Sequence, residues 1–133
     1  MDHHVFFYGT LMAGFDRRRR LGIDPHLVYV GRGSIEAALY DLGIYPAAVP
    51  TPGSRVWGEV WATQAIEPVL AALDGIEGYR VGDADGSLYR REQVPAHLPG
   101  GIVAQAWVYF YNAPLGQAPL IASGDYLSHV TGR

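Results

Sequence analysis

The sequence predicts an α+β fold, namely a small barrel-like sheet of about six mostly antiparallel strands with two or three short helices. Short runs rich in aromatic and β-branched residues recur between glycine and proline turns, whereas one segment alone has clear helical periodicity. The strands follow one another without regular β-α-β alternation, and no G-x-G-x-x-G motif follows the first of them. These observations favour a mixed barrel over a Rossmann fold.

The first part of the chain is predicted to begin with a buried strand. Residues 4–8 form an aromatic and β-branched run that is closed by Gly9. Asp16 then occupies the position of an N-cap before a short arginine-rich helix. We expect this helix to be polar and exposed.

The middle of the chain is predicted to be extended. Residues 27–42 contain glycines that indicate bulges or close backbone approaches, at Gly31, Gly33 and Gly43. Residues 55–62 alternate in side-chain character and carry bulk on both faces, which is typical of a central strand.

One helix and two further strands are predicted in the second half. An i, i+3, i+4, i+7 pattern of apolar residues predicts a helix over residues 64–74, with Pro68 tolerated in its first turn. Asp85 and Gly86 give a hairpin signal within residues 81–87. Strands are predicted at residues 88–94, ended by Pro95, and at residues 102–111, and Tyr126 and Leu127 are expected to form an anchor near the C-terminus.

Length and composition predict one domain over residues 1–133. Of these 133 residues, 49% are hydrophobic and 17% are charged, which is enough apolar material to build a core. The chain begins without the basic start and apolar run of a signal peptide, and no stretch of about 18 apolar residues occurs. We therefore expect a cytoplasmic protein, monomeric or homodimeric, that does not contact membranes.

Charge and residue usage argue against several function classes. The net charge of −3 disfavours a general nucleic-acid binder. The four arginines at residues 17–20 can form an anion or nucleic-acid patch or the solvated face of a helix, and the second interpretation is favoured. Cysteine is absent, and the five histidines lack the spacing of metal ligands, so no metal site is expected.

The first candidate site follows the first strand, at Tyr8, Gly9, Thr10 and Leu11. A glycine here lets a ligand approach the main chain, and neighbouring N–H groups can converge on an anion. Thr10 adds a hydroxyl donor. The structural alternative is a strand that ends in a tight turn, and spacing alone favours this alternative.

The second candidate site is Glu77, at the end of the predicted helix. Position 77 returns to within about 20° of the apolar stripe that begins at Ile66, provided that Gly75 does not break the helix first. A carboxyl group in such surroundings can take and return a proton near neutral pH. The alternative is an exposed Glu at a glycine-capped helix end, and the two interpretations stay balanced.

Several other residues have two interpretations. Tyr89 and Arg91 share one face of a predicted strand and could orient a substrate carboxylate, but Arg91 could equally pair with Glu92 or Asp74. The aromatic residues of the strands are predicted to form the barrel wall, namely Trp57, Trp61, Trp107, Tyr109 and Tyr111.

Taken together, five segments resemble the γ-glutamyl cyclotransferase-like family, and within it the AIG2-like and γ-glutamylamine cyclotransferase-like branch. They occur in the family's order: VFFYGTL at residues 5–11, LGIYPA at 42–47, VWGEVW at 56–61, LDGIEG at 73–78 and YRREQV at 89–94. Each segment alone is weakly specific, whereas five in order are strongly specific.

The resemblance implies a fold, a reaction and a site. It implies a small mixed barrel with a pocket at one end, where Tyr8, Gly9, Thr10 and Leu11 cradle the substrate and Glu77 is the catalytic acid/base. The implied reaction releases 5-oxoproline from a γ-glutamyl amine or γ-glutamyl amino acid, without a cofactor. The alternatives are a glutathione-directed cyclotransferase and a non-enzymatic small-molecule binding module on the same fold.

Overall fold

Five strands close into a barrel in the part of the chain that the computed structural model describes. The described residues are 2–9, 22–43, 45–77 and 88–131, with the backbone alone for residues 76, 77 and 131. The strands are β1 (His3–Phe7), β2 (Val28–Glu36), β3 (Ala38–Asp41), β4 (Pro46–Val49), β5 (Arg55–Thr63), β6 (Tyr89–Leu98) and β7 (Ile102–Tyr111). The helices are α1 (Ile66–Glu77) and α2 (Tyr126–Thr131), and short 3₁₀ turns occur at Asp24–His26 and Pro99–Gly101.

The barrel has the strand order β1-β5-β2-β6-β7, and β3 and β4 form a separate two-stranded sheet. Its pairs are antiparallel except for β1 and β7, which run parallel where Val5 faces Trp107. β5 lies between β1 and β2, as predicted for a central strand. The predicted α+β barrel is confirmed, although the described residues contain seven strands rather than about six.

The additional strands arise between β2 and β5. The predicted extended segment 27–42 divides into β2 and β3 at Ala37, whose amide donates a hydrogen bond to the Ser54 carbonyl. The register of β2 against β5 shifts between Tyr29 and Gly31, so the bulge expected near Gly31 is confirmed. β3 then turns back into β4, a strand that the proline-rich sequence did not predict.

Pro95 does not end β6, and the predicted strand boundary at this residue was wrong. The ladder between β6 and β7 continues through Pro95 opposite Gln105 and reaches Leu98. On its other edge, the described part of β6 pairs with β2 at Ser34 and His97 alone. A strand tolerates proline where one edge lacks a continuous ladder, because the missing N–H group is not required there.

Helix α1 is longer than predicted. The expected helix over residues 64–74 is observed from Ile66, with Pro68 in its first turn, and it continues through Gly75 to Glu77. Val69 and Leu73 are fully buried and belong to the hydrophobic core. Burial of this apolar stripe stabilises the helix and outweighs the low helix propensity of one glycine.

The core lies inside the barrel and under α1. Its largest fully buried side chains are Phe110, Ile35, Leu39, Leu73, Val5, Val56, Val60, Val69 and Val108. Tyr126 is also buried, which confirms the predicted C-terminal anchor, while Leu127 is exposed. Burial raises the pKa of Tyr126, and the nearby charge of Asp41 adds to this effect.

Some predictions concern positions outside the described residues: the helix after Asp16, the arginines at residues 17–20 and the hairpin at residues 81–87.

In the described part of the chain, neither helix has the length and apolar character needed to cross a membrane.

Candidate active site

The end of β1 is fixed by the side chain of Tyr8. This residue is buried, and its hydroxyl group donates a hydrogen bond of 2.7 Å to the backbone carbonyl of Tyr109. The same hydroxyl oxygen accepts a hydrogen bond of 3.4 Å from the backbone amide of Ala48. Tyr8 therefore links β7 to β4, and its main chain enters the predicted loop from a fixed position.

Gly9 follows at a point where the hairpin of β3 and β4 comes very close. A Cβ atom added to Gly9 would lie 2.8 Å from Cγ of Pro46. Glycine is thus required at position 9 by the close approach of Pro46 and not by backbone conformation, because the φ angle of Gly9 is not positive. Thr10 and Leu11, the other two predicted loop residues, lie outside the described residues.

The C-terminal part of α1 is fastened to β7 by Tyr109. The Tyr109 hydroxyl lies 2.5 Å from Oδ1 of Asp74 and 3.3 Å from the carbonyl oxygen of Leu70. α1 ends at Glu77, three residues after Asp74. The structure describes Glu77 as helical backbone, so its predicted catalytic role stays a prediction.

Asp74 also pairs with Arg91 on β6. Nη1 of Arg91 lies 3.3 Å from Oδ2 of Asp74, and the two side chains are 21% and 14% exposed. The Arg91 guanidinium group also lies over the ring of Trp107, 5.6 Å from its centroid. Of the two carboxylates considered for Arg91 from the sequence, Asp74 is the one that forms the ion pair, and Glu92 pairs with Arg90 instead.

Aromatic residues form the wall next to these groups. The Tyr89 hydroxyl group donates a hydrogen bond of 3.3 Å to the carbonyl oxygen of Pro46. The Tyr89 ring packs against Tyr45 and Tyr111, with centroid distances of 6.4 and 5.3 Å. Tyr89 is buried and holds the β3–β4 hairpin against the start of β6.

Tyr109 therefore joins the two segments in which the sequence placed candidate site residues. Its carbonyl group binds Tyr8 at the end of β1, and its hydroxyl group binds Asp74 near the end of α1. Sequence reasoning treated Tyr109 as barrel wall and Asp74 as a surface partner. The sequence did contain one indication of a role for Asp74: it precedes Glu77 by three residues, so the two lie on the same face of the helix.

A separate cleft of about 560 Å³ lies at the other end of the barrel, where β1 and β2 begin and β5 ends. It is lined by residues that include His4, His26, Val28 and Thr63, and by neither Tyr8 nor Gly9, the two predicted site residues that the structure describes in full. Among the described residues, no group of three His, Asp or Glu side chains is placed to hold a metal ion.

A model of the gamma-glutamyl cyclotransferase, AIG2-like family matches residues 5–128. The chain belongs to this family. A relative from Vibrio cholerae, named "Putative gamma-glutamylcyclotransferase", is 37% identical over 132 residues, which cover 98% of this chain and 100% of the relative. The family resemblance expected from the five sequence segments is thereby confirmed.

Solved structures of this family have the same fold. The solution structure of protein ytfP from Escherichia coli is 31% identical, with a TM-score of 0.66 and coverage of 96% of this chain and 98% of that chain. An AIG2-like protein from Mus musculus superimposes with a TM-score of 0.71 at 24% identity, over 94% of this chain and 88% of that chain. At 24% identity, the similarity to the mouse protein shows a shared fold alone.

Proposed function

We propose that this family member is a γ-glutamyl cyclotransferase-type enzyme, with residues 1–133 acting as one domain. It releases 5-oxoproline from a γ-glutamyl amine or γ-glutamyl amino acid. The observation that carries the proposal is the double contact of Tyr109, with Tyr8 at the start of the candidate loop and with Asp74 near Glu77. Tyr8, directly after β1, and Asp74, on α1, thus contact the same residue of β7.

The proposed reaction takes place within one substrate molecule. The α-amine nitrogen attacks the γ-carbonyl carbon, a C–N bond closes the five-membered ring, and the original γ C–N bond breaks. The leaving nitrogen departs as a free amine after it receives a proton. Because nucleophile and electrophile belong to one molecule, the protein has to fold the substrate, move one proton and stabilise one oxyanion.

Glu77 is the proposed acid/base. It takes the proton from the attacking amine and returns it to the leaving nitrogen, a role that typically contributes about 10²- to 10⁴-fold in rate. Glu77 is the last residue of α1.

The loop after β1 is the proposed anion cradle. The backbone N–H groups of Gly9, Thr10 and Leu11 hold the substrate carboxylate or the developing oxyanion. The Tyr8 side chain contributes by fixing where this loop begins, through its hydrogen bonds to Tyr109 and Ala48. Each donor aimed at the oxyanion contributes about 3 kcal/mol to transition-state stabilisation.

The test is 5-oxoproline release from a panel of γ-glutamyl amino acids, ε-(γ-glutamyl)-lysine and glutathione. We expect release by the wild type, and a loss of at least about 100-fold in Glu77→Gln, which is isosteric but cannot exchange the proton. Glu67→Gln, an exposed change in the first turn of the same helix, is the matched control and should retain activity.

The panel also separates the alternatives. Release from glutathione in preference to the other compounds would favour a glutathione-directed enzyme. Silence of the folded protein on every compound would contradict the proposed reaction and favour a binding module. Equal activity of Glu77→Gln and the wild type would contradict the acid/base assignment alone.

A further inference from the structure

Asp74 receives contacts from two strands that are distant from it in sequence. The Tyr109 hydroxyl on β7 lies 2.5 Å from Oδ1, and the Arg91 guanidinium group on β6 lies 3.3 Å from Oδ2. Both carboxylate oxygens are therefore engaged, and the side chain is 14% exposed. This contact set attaches one turn of α1 to two neighbouring strands.

The contact with Tyr109 is the shorter of the two. A hydroxyl group has one proton to donate, and at 2.5 Å that proton belongs in the bond to the Asp74 carboxylate rather than in the 3.3 Å contact to Leu70. Hydrogen bonds from a hydroxyl group to an ionised carboxylate are short and about twice as strong as neutral ones. Tyr109 is buried, so water competes little for this bond.

The attachment point lies within one turn of the end of α1. At 100° per residue, positions 70, 74 and 77 fall within about 60° of one another around the helix axis. The last carbonyl groups of a helix lack intrahelical partners, and this turn opens more readily than the rest. The hydrogen bond at Asp74 holds the face of the helix to which position 77 belongs.

We propose that Asp74, held by Tyr109 and Arg91, is a positioning residue for Glu77. This inference rests on the proposed function, because it assigns Asp74 a role in placing the acid/base. The arrangement fixes the last turn of α1 against β6 and β7, and the backbone of Glu77 with it. Misplacement of a reacting group by about 1 Å costs about 100-fold in rate, so such a device affects turnover without touching the substrate.

The pairing with Arg91 supports this role. A second carboxylate within one turn of Glu77 would oppose substrate anions if it were unpaired. Arg91 neutralises the Asp74 charge and is itself held over the Trp107 ring at 5.6 Å. Arg91 and Tyr109 face each other across the β6–β7 ladder, so one rigid strand pair carries both partners.

The experiment combines kinetics with hydrogen exchange in two variants. Asp74→Asn removes the charge, and Tyr109→Phe removes the hydroxyl group but keeps the buried ring. We expect kcat to fall about 10- to 100-fold in Asp74→Asn and less in Tyr109→Phe, with KM changed less than about threefold.

Hydrogen exchange gives a readout that does not depend on activity. Amides in residues 70–77 should exchange about 10-fold faster in both variants, while amides of α2 stay unchanged. Asp125→Asn is the matched control, since Asp125 is also 14% exposed and also pairs with an arginine, yet it precedes α2. It should leave kcat and the exchange of residues 70–77 unchanged.

The outcomes separate the inference from the proposed function. Unchanged exchange at residues 70–77 would show that the contacts of Asp74 with Tyr109 and Arg91 do not hold the end of α1, and would overturn the inference whether or not the enzyme is active. Faster exchange with unchanged kcat would leave the proposed reaction intact and overturn the positioning role. A wild type that is silent on every γ-glutamyl compound would overturn the proposed function and the positioning role together, while the exchange data would still establish the contact as structural.

Discussion

The two described helices are fastened to the barrel by two aspartates that look alike in exposure and differ in their partners. Asp74 on α1 and Asp125 before α2 are each 14% exposed, and each pairs with an arginine. Tyr109 binds Asp74 from a position 35 residues away, whereas Ser128, three residues away, binds Asp125. Exposure and charge therefore do not distinguish the two groups, but the positions of their partners do. Both partners of Asp74 lie on strands, whereas Asp125 has one partner on β2 and one in its own helix.

Asp125 caps its own helix and pairs with one residue of β2. Its Oδ1 atom accepts a hydrogen bond of 3.4 Å from the Ser128 amide, the third residue of α2, which is the geometry of an N-cap. Its Oδ2 atom binds the Ser128 hydroxyl group and Arg32, which is 50% exposed. Asp74 instead joins a helix end to two strands. We therefore expect changes around Asp125 to alter stability, and changes around Asp74 to alter turnover.

The largest stability effect should come from Gly124→Ala, beside Asp125. Gly124 has a φ angle of +67°, and an added Cβ atom would overlap the carbonyl oxygen of Arg55. The Gly124 carbonyl also accepts a 2.8 Å hydrogen bond from the Trp57 amide, so the backbone cannot move away without loss of this bond. We expect the free energy of unfolding to fall by at least about 3 kcal/mol. Urea denaturation measures this change.

If Gly124→Ala unfolds with the midpoint of the wild type, the C-terminal segment does not contribute to the cooperative unit, and the contrast between the two helices fails. Gly116→Ala is the control, because Gly116 also has a positive φ angle, +59°, but a Cβ atom added there would meet no heavy atom of the described residues within 4 Å. Its cost should be about 1 kcal/mol.

A smaller effect is expected for Asp125→Ala. Loss of the cap should lower the free energy of unfolding by about 1–2 kcal/mol at pH 7, with kcat unchanged. Burial raises the pKa of Asp125, but hydrogen bonds from Arg32 and Ser128 outweigh it, so the pKa lies below its ordinary value. The carboxylate therefore stabilises the fold above the pKa of the unfolded state, and this contribution is lost as the pH falls through the folded-state pKa.

The stability difference between the wild type and Asp125→Ala should accordingly shrink as the pH is lowered below about 4. Urea titrations at pH 7 and pH 3 give this comparison directly. A difference that is constant across this range would show that the hydrogen bonds of Asp125 do not depend on its charge, and would contradict the lowered pKa of this group.

The sequence predicted the elements that carry a local pattern. Residues 55–62 alternate and residues 102–111 are rich in aromatics, and both are strands with nearly the predicted bounds. The predicted end of β6 at Pro95 was wrong because the effect of a proline depends on how the neighbouring strand pairs with that edge of β6, which is a tertiary property. The hydrogen bond between Tyr109 and Asp74 could not be predicted for the same reason, since it joins residues 35 positions apart and no local periodicity indicates it.

The smallest effect is expected at Gly75, the counterpart of Gly124 on α1. Gly75 lies inside the helix, its side of α1 is exposed, and an added Cβ atom would meet no described atom within 4 Å. Gly75→Ala should therefore raise the free energy of unfolding by about 0.5–1 kcal/mol, since alanine is the better helix former. The same chemical change thus has opposite signs at the two helices. If Gly75→Ala instead lowers stability in urea denaturation, the end of α1 is held in a geometry that alanine does not fit. If Gly75→Ala stabilises the helix and also lowers kcat, the last turn of α1 must loosen during turnover. That result would contradict a rigid placement of Glu77 by Asp74.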